Sequence, residues 1–119
     1  MQDTEREDRI AMEIVVDAHD ASERAMGWFS YLEDAMTFPS FARCARARAI
    51  SPLKVGDEVE MVDIGPENEC SSEMFVLVRW GDGQLAVPLS QLDVDERVDE
   101  ATGQAVNDWL YWVERGYAF

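Results

Sequence analysis

The sequence predicts one α+β domain, a small SH3-like β-barrel flanked by N-terminal helices and a C-terminal helix. Three observations predict it. Residues 5–36 carry apolar side chains at helical spacing, residues 41–92 break into short β-rich runs between turn residues, and residues 96–114 return to a helical period. The length of 119 residues suits a single domain, and a 47% apolar content can fill a core without disulfide or metal staples. Repeats, low-complexity tracts and linkers are absent from the sequence.

From Glu5 to about Asp17, the residues Ile10, Ile14, Val15 and Ala18 recur on one helical face. Asp20-Ala21-Ser22-Glu23 reads as a capping box, with Asp20 as cap and Glu23 at the reciprocal position. A second helix then runs to about Met36 with Ala25, Trp28, Phe29, Leu32 and Met36 on one stripe, and Pro39 stops it.

The period changes at Phe41. A strand there places Arg43 on one face and Arg46 and Arg48 on the other, with Ala45, Ala47 and Ala49 alternating, unless a bulge shifts the register. Ser51-Pro52-Leu53 turns the chain, and Lys54-Val55-Gly56-Asp57 leads into a strand carrying Val59, Met61, Val62 and Ile64. A third strand spans Glu73 to Trp80. Gly81-Asp82-Gly83 connects it tightly to Leu85-Ala86-Val87, and residues 88–92 make a short closing turn. Four or five short strands joined this way suggest the barrel. In the last helix Asp95 is the expected N-cap, and Ala101, Ala105, Trp109 or Leu110, and Trp112 or Val113 form the docking stripe. The Trp and Tyr side chains read as core and docking surface rather than a ligand cage.

Twenty-five acidic residues against ten basic ones give a formal charge of -15. That balance excludes nucleic acid and anionic membrane surfaces as partners, because phosphate contacts need clustered Lys and Arg. No stretch reaches the roughly 18 apolar residues of a membrane span. The acidic start, Met1 to Asp8, lacks the basic and apolar regions of a secretory signal, so a cytoplasmic location is expected. Partners should be cations or basic proteins. Cys44 and Cys70 are expected to be buried thiols, and with His19 they lack zinc spacing. No nucleophile motif or phosphate loop is present, and no enzyme is expected.

The carboxylates gather most densely beside turn residues in Asp63-Ile64-Gly65-Pro66-Glu67-Asn68-Glu69. Two carboxylates about 4 Å apart repel by roughly 1 kcal/mol in water and about 4 at an effective dielectric near 20. A hard divalent cation removes that repulsion. Gly65 permits a sharp turn there, and Asp63, Glu67, Glu69 and Glu73 supply up to four carboxylates. Loop carbonyls can complete the roughly 6–8 oxygens of a Ca2+ shell. The spacing is not that of an EF-hand. Glu33 and Asp34 are the second pair of candidates. They end a helix where the macrodipole disfavours acids, and the competing reading pairs them with Arg43, Arg46 or Arg48. The run from Asp93 to Glu100 reads as a helix start. A competing view of the whole chain is an acidic SH3-like interaction module for basic proteins, its single lysine (Lys54) and its acidity reflecting salt adaptation.

Longer words in the chain are familiar. They include Glu23-Arg24-Ala25-Met26-Gly27-Trp28, Tyr31-Leu32-Glu33-Asp34, Phe38-Pro39, Ala42-Arg43-Cys44, Ser51-Pro52-Leu53-Lys54-Val55-Gly56, Glu69-Cys70, residues 73–80, residues 86–92, residues 108–113 and Gly116-Tyr117. From about Ile10 onward they resemble the small acidic, non-EF-hand calcium-binding proteins of the cyanobacterial CcbP type. The resemblance implies a protein that binds Ca2+ and buffers or senses its free cytosolic concentration, with a bearing on calcium signalling. The ligand candidates remain those of the spacing argument: Asp63, Glu67 and Glu69 first, Glu33 and Asp34 second.

Overall fold

Asp20 opens the first long helix as expected: its Oδ1 accepts a hydrogen bond from the Glu23 amide at 2.9 Å. The computed structural model describes residues 4–15, 20–66, 70 and 73–115. In chain order these give α1 (Thr4–Arg9), a π-helical segment (Ile10–Ile14), α2 (Ala21–Ala35), β1 (Ser40–Cys44), β2 (Glu58–Ile64), β3 (Phe75–Trp80), β4 (Gly83–Pro88), a 3-10 turn (Leu89–Gln91), β5 (Leu92–Asp93) and α3 (Glu100–Glu114). The strands form one antiparallel sheet in the order β4-β3-β2-β1-β5, curled into a half-barrel with the helices beside it. The α+β, barrel-like architecture is the one the sequence predicts.

Alternation decides which side of each strand faces inward. In β1, Ser40, Ala42 and Cys44 are buried while Phe41 and Arg43 face out. β2 buries Val59, Met61 and Ile64, and its register shifts between Met61 and Asp63. That bulge explains why its apolar residues do not follow strict alternation. β3 and β4 pair from Phe75↔Pro88 to Trp80↔Gly83, which leaves Gly81 and Asp82 as the hairpin tip. Gly81 there takes a φ of 57°, a conformation that costs a residue without Cβ little.

The helices close the core from the other side. Trp28 on α2 meets Trp109 and Trp112 of α3 with ring centroids at 5.1 and 5.5 Å. Trp28, Leu32, Met61, Met74, Val78, Leu89 and Leu92 are fully buried around this contact. Each such side chain contributes roughly 1.5–3 kcal/mol through burial. The aromatic residues are core, as expected, and both cysteines are buried free thiols.

The structure corrects several local expectations. The N-terminal helix switches from α to π at Ile10, and only Ile10 and Ile14 of this stretch are buried. Gly27 is the reason that segment can lie so close to α2, since a Cβ there would collide with the Ile14 carbonyl oxygen. The strand after Phe41 ends at Cys44. The Ala45 and Arg46 amides both turn to the Gln91 carbonyl, at 2.8 and 3.3 Å, so Arg46 and Arg48 lie in an irregular segment and not on a strand face. The third strand starts at Phe75, with Glu73 outside it. Asp95 does not cap the last helix. Asp99 does, accepting from the Thr102 amide and hydroxyl, so α3 begins at Glu100. Asp95 is instead held by the Arg97 amide and guanidinium. The α3 stripe accordingly shifts to Thr102, Ala105, Val106, Trp109, Leu110 and Trp112, with Ala101 and Val113 exposed.

Candidate functional site

The acidic loop leaves the sheet at a neck built by close backbone contact. The Gly65 amide donates to the Phe75 carbonyl at 2.7 Å. A Cβ on Gly65 would lie 2.8 Å from both the Phe75 Cβ and its carbonyl oxygen. Gly65 is therefore needed for its missing side chain, where the sequence suggested turn flexibility. Cys70, buried, sits under the neck, and its Sγ accepts from the Phe75 amide at 3.4 Å.

Of the candidate ligands, Asp63 is exposed beside the β2 bulge, and its Oδ1 accepts from the Ile64 amide at 2.8 Å. Its Oδ2 has no partner among the described residues. Glu67 and Glu69 lie outside the described residues, as does His19. Glu73 is not an open ligand. Arg48 donates through Nη1 to its Oε1 at 2.9 Å and through Nη2 to its Oε2 at 3.0 Å.

Glu33 and Asp34 are exposed in the last turn of α2 and make no hydrogen bond or ion pair with a described residue. The competing reading that pairs them with Arg43, Arg46 or Arg48 fails. Those arginines go to Glu58, to Asp93 and Glu114, and to Glu73. Asp34 instead lines a groove of about 390 Å³ with Glu13, Ile14, Gly27, Ser30 and Tyr31. A second groove of about 420 Å³ runs between Glu5, Arg6 and Arg9 on one side and Asp95, Glu96, Asp99 and Glu100 on the other. Among the described residues no three carboxylate, imidazole or thiol groups converge as a ready metal cage.

One charged constellation escaped the sequence reading. Asp108, wholly buried on α3, accepts from Arg6 Nε at 2.8 Å, Arg9 Nε at 2.8 Å, Arg9 Nη2 at 2.7 Å and Tyr31 OH at 2.7 Å. It ties α1 and α2 to α3. The bond to Asp108 holds the Arg9 guanidinium protonated above its ordinary range. Burial, and then the Asp108 bond, pushes the Tyr31 phenol up as well. The signal was present in the sequence: Asp108 stands on the apolar stripe between Ala105 and Trp112. All its acceptor capacity is used in this clasp, which makes it structural.

Several acids on and beside the sheet's outer face are neutralised by nearby arginines. Arg97 Nη2 reaches Glu58 at 2.8 Å, its Nε reaches Asp95 at 3.0 Å, and Arg79 Nε reaches Glu60 at 2.6 Å. Arg97 holds the carboxyls of Glu58 and Asp95 below the usual carboxylate range.

A family model described as calcium binding, that of the CcbP-type proteins, matches residues 8–113. The crystal structure of Anabaena CcbP is 39% identical, with a TM-score of 0.86, over 100% of this chain and 97% of that one. A calcium-binding protein solved in its calcium-binding form is 38% identical, with a TM-score of 0.87, over 99% of this chain and 96% of that one. No curated protein matches significantly.

Proposed function

Because the chain belongs to the CcbP family of calcium-binding proteins, we propose that it binds Ca2+ through the loop over residues 63–73 and buffers or senses the free ion. The observation that carries calcium itself is the family match over residues 8–113, supported by the full-length likeness to a protein in its calcium-binding form. Asp63, Glu67 and Glu69 are the proposed ligands, and Glu33 and Asp34 the second set. Three features support the loop. Its neck is fixed by the Gly65–Phe75 contact, Asp63 keeps one oxygen free, and Pro66 stiffens the exit. The roughly 6–8 oxygens of a calcium shell can draw on such a loop's carbonyls as well as its carboxylates.

The same reading places the protein in the cytoplasm and outside catalysis. Among the described residues no helix is long and apolar enough to cross a membrane. Calorimetric titration tests the assignment. Wild-type protein should release or absorb heat with calcium at low millimolar concentration, and Glu67→Gln/Glu69→Gln should lose most of one site. A double variant that binds as tightly as wild type would move the site away from the loop.

A further inference from the structure

We infer that the open edge of β4 is a docking site for an extended peptide in which basic and apolar residues alternate. The strand order leaves β4 with β3 on one side and, among the described residues, no strand on the other. The two pair without a bulge from Phe75↔Pro88 to Trp80↔Gly83. Just beyond, the Leu89 amide donates to the Met74 carbonyl at 2.9 Å. Bonded and non-bonded pairs alternate along an antiparallel ladder, so Val76–Val87 and Val78–Leu85 are bonded in the same way. The backbone groups of Gln84 and Ala86 then point away from β3. Both residues are exposed, and neither makes a further hydrogen bond with a described residue. Their amides and carbonyls are a template for one more strand.

Edges that must stay unpaired are blunted by charge, by a bulge or by shortness. The opposite edge of this sheet follows that rule: β5 has two residues, and its Asp93 pairs with Arg46. β4 has none of these protections. Gly83 to Leu92 is the longest uncharged run in a chain of net charge -15. Along β4, Leu85 is half-buried and Val87 buried, while Gln84 and Ala86 face water. Trp80, 44% exposed, stands opposite Gly83, which has no side chain to cover it. An added strand would set alternate side chains beside Leu85 and Val87, where apolar groups fit, and the others beside Gln84 and Ala86 in water. Charge then selects the occupant. A second copy would bring another -15 to the edge, whereas Lys or Arg on the wet face of a peptide is drawn towards it. Asp82 at the hairpin tip, with no hydrogen bond or ion pair to a described residue, adds to that attraction.

A short peptide of alternating Lys and Val, titrated into the full chain in excess EDTA, tests this without calcium. The peptide should bind, and a matched peptide of alternating Glu and Val should not. In amide hydrogen exchange read by NMR, Gln84 and Ala86 should become protected when the basic peptide is added. Ala86→Pro removes an outward donor without touching a bond to β3 and leaves the charge unchanged, so it should weaken binding about tenfold. Ala86→Lys keeps the strand backbone and adds a repelling charge at the edge. It should weaken binding as well, and it serves should the proline variant melt early. Ala101→Lys adds the same charge at an exposed position on α3 and should change affinity by less than about twofold. Equal binding by wild type and both Ala86 variants, or protection away from β4, would reduce the contact to diffuse charge attraction and overturn the docking site. So would a failure of the basic peptide to bind. Self-association of the wild type that Ala86→Pro abolishes would make a second copy the occupant and overturn the basic peptide.

Discussion

The outer face of the sheet and the surface of the helices carry acid in opposite ways. On the sheet, Glu58, Glu60 and Asp93 each have an arginine at 3.5 Å or less, as does Asp95 just beyond β5, while Asp63 has none among the described residues. On the helices, Glu5, Asp8, Glu13, Glu33, Asp34 and Glu100 make no hydrogen bond or ion pair with a described residue. The charge of -15 is therefore not one property. Among the described residues the sheet and its rim compensate their acids except for Asp63, and much of the uncompensated remainder sits on the helices. On the proposed reading, calcium binds where oxygens of that remainder converge, and salt screens the rest.

The sharpest break in the comparison comes from Asp108, the helical carboxylate that is both wholly buried and compensated. Asp108→Ala leaves Arg6 and Arg9 without their buried partner and should cost about 3–5 kcal/mol, measured by urea unfolding. Gly27→Ala comes next. It pushes a Cβ against the Ile14 carbonyl and should cost roughly 1–3 kcal/mol, with the π-helical segment prised from α2. Arg79→Gln, on the sheet, should change stability by about 1 kcal/mol or less, because exposed pairs contribute little.

Acid sharpens the same contrast. The hydroxyl of Thr102 holds the Asp99 carboxyl below its usual range, and Arg97 does the same for Glu58 and Asp95. A lowered carboxyl stabilises the fold above its unfolded pKa, and that contribution disappears as pH falls through the folded value. Stability should therefore drop below about pH 4. Asp99→Asn, which keeps a capping oxygen but no charge, should show a shallower drop in the same titration.

Much of this architecture is legible in the sequence, for identifiable reasons. The Asp20 cap, the Trp28–Leu32 stripe, the Gly81-Asp82 hairpin and the switch from period 3.6 to period 2 are local signals, and local physics decides them. What failed depended on distant partners. Arg46 and Arg48 read as strand residues until the Gln91 carbonyl, far along the chain, draws the backbone away. Asp95 and Asp99 both suit a cap, and the choice falls to Asp99 because Thr102 offers it an amide and a hydroxyl. Of the candidate site, the sequence singled out the acids but could not see that Arg48 spans the fold to hold Glu73. Pairings between residues 25 positions apart leave no periodic trace.

Thermal unfolding with calcium, magnesium and sodium chloride at one ionic strength tests the division of charge most directly. Calcium should raise the melting temperature well above the other two, by the equivalent of roughly 2.7 kcal/mol at a hundred times its dissociation constant. Equal stabilisation by all three salts would contradict it, leaving the bare carboxylates as a solvated surface with no ion of their own.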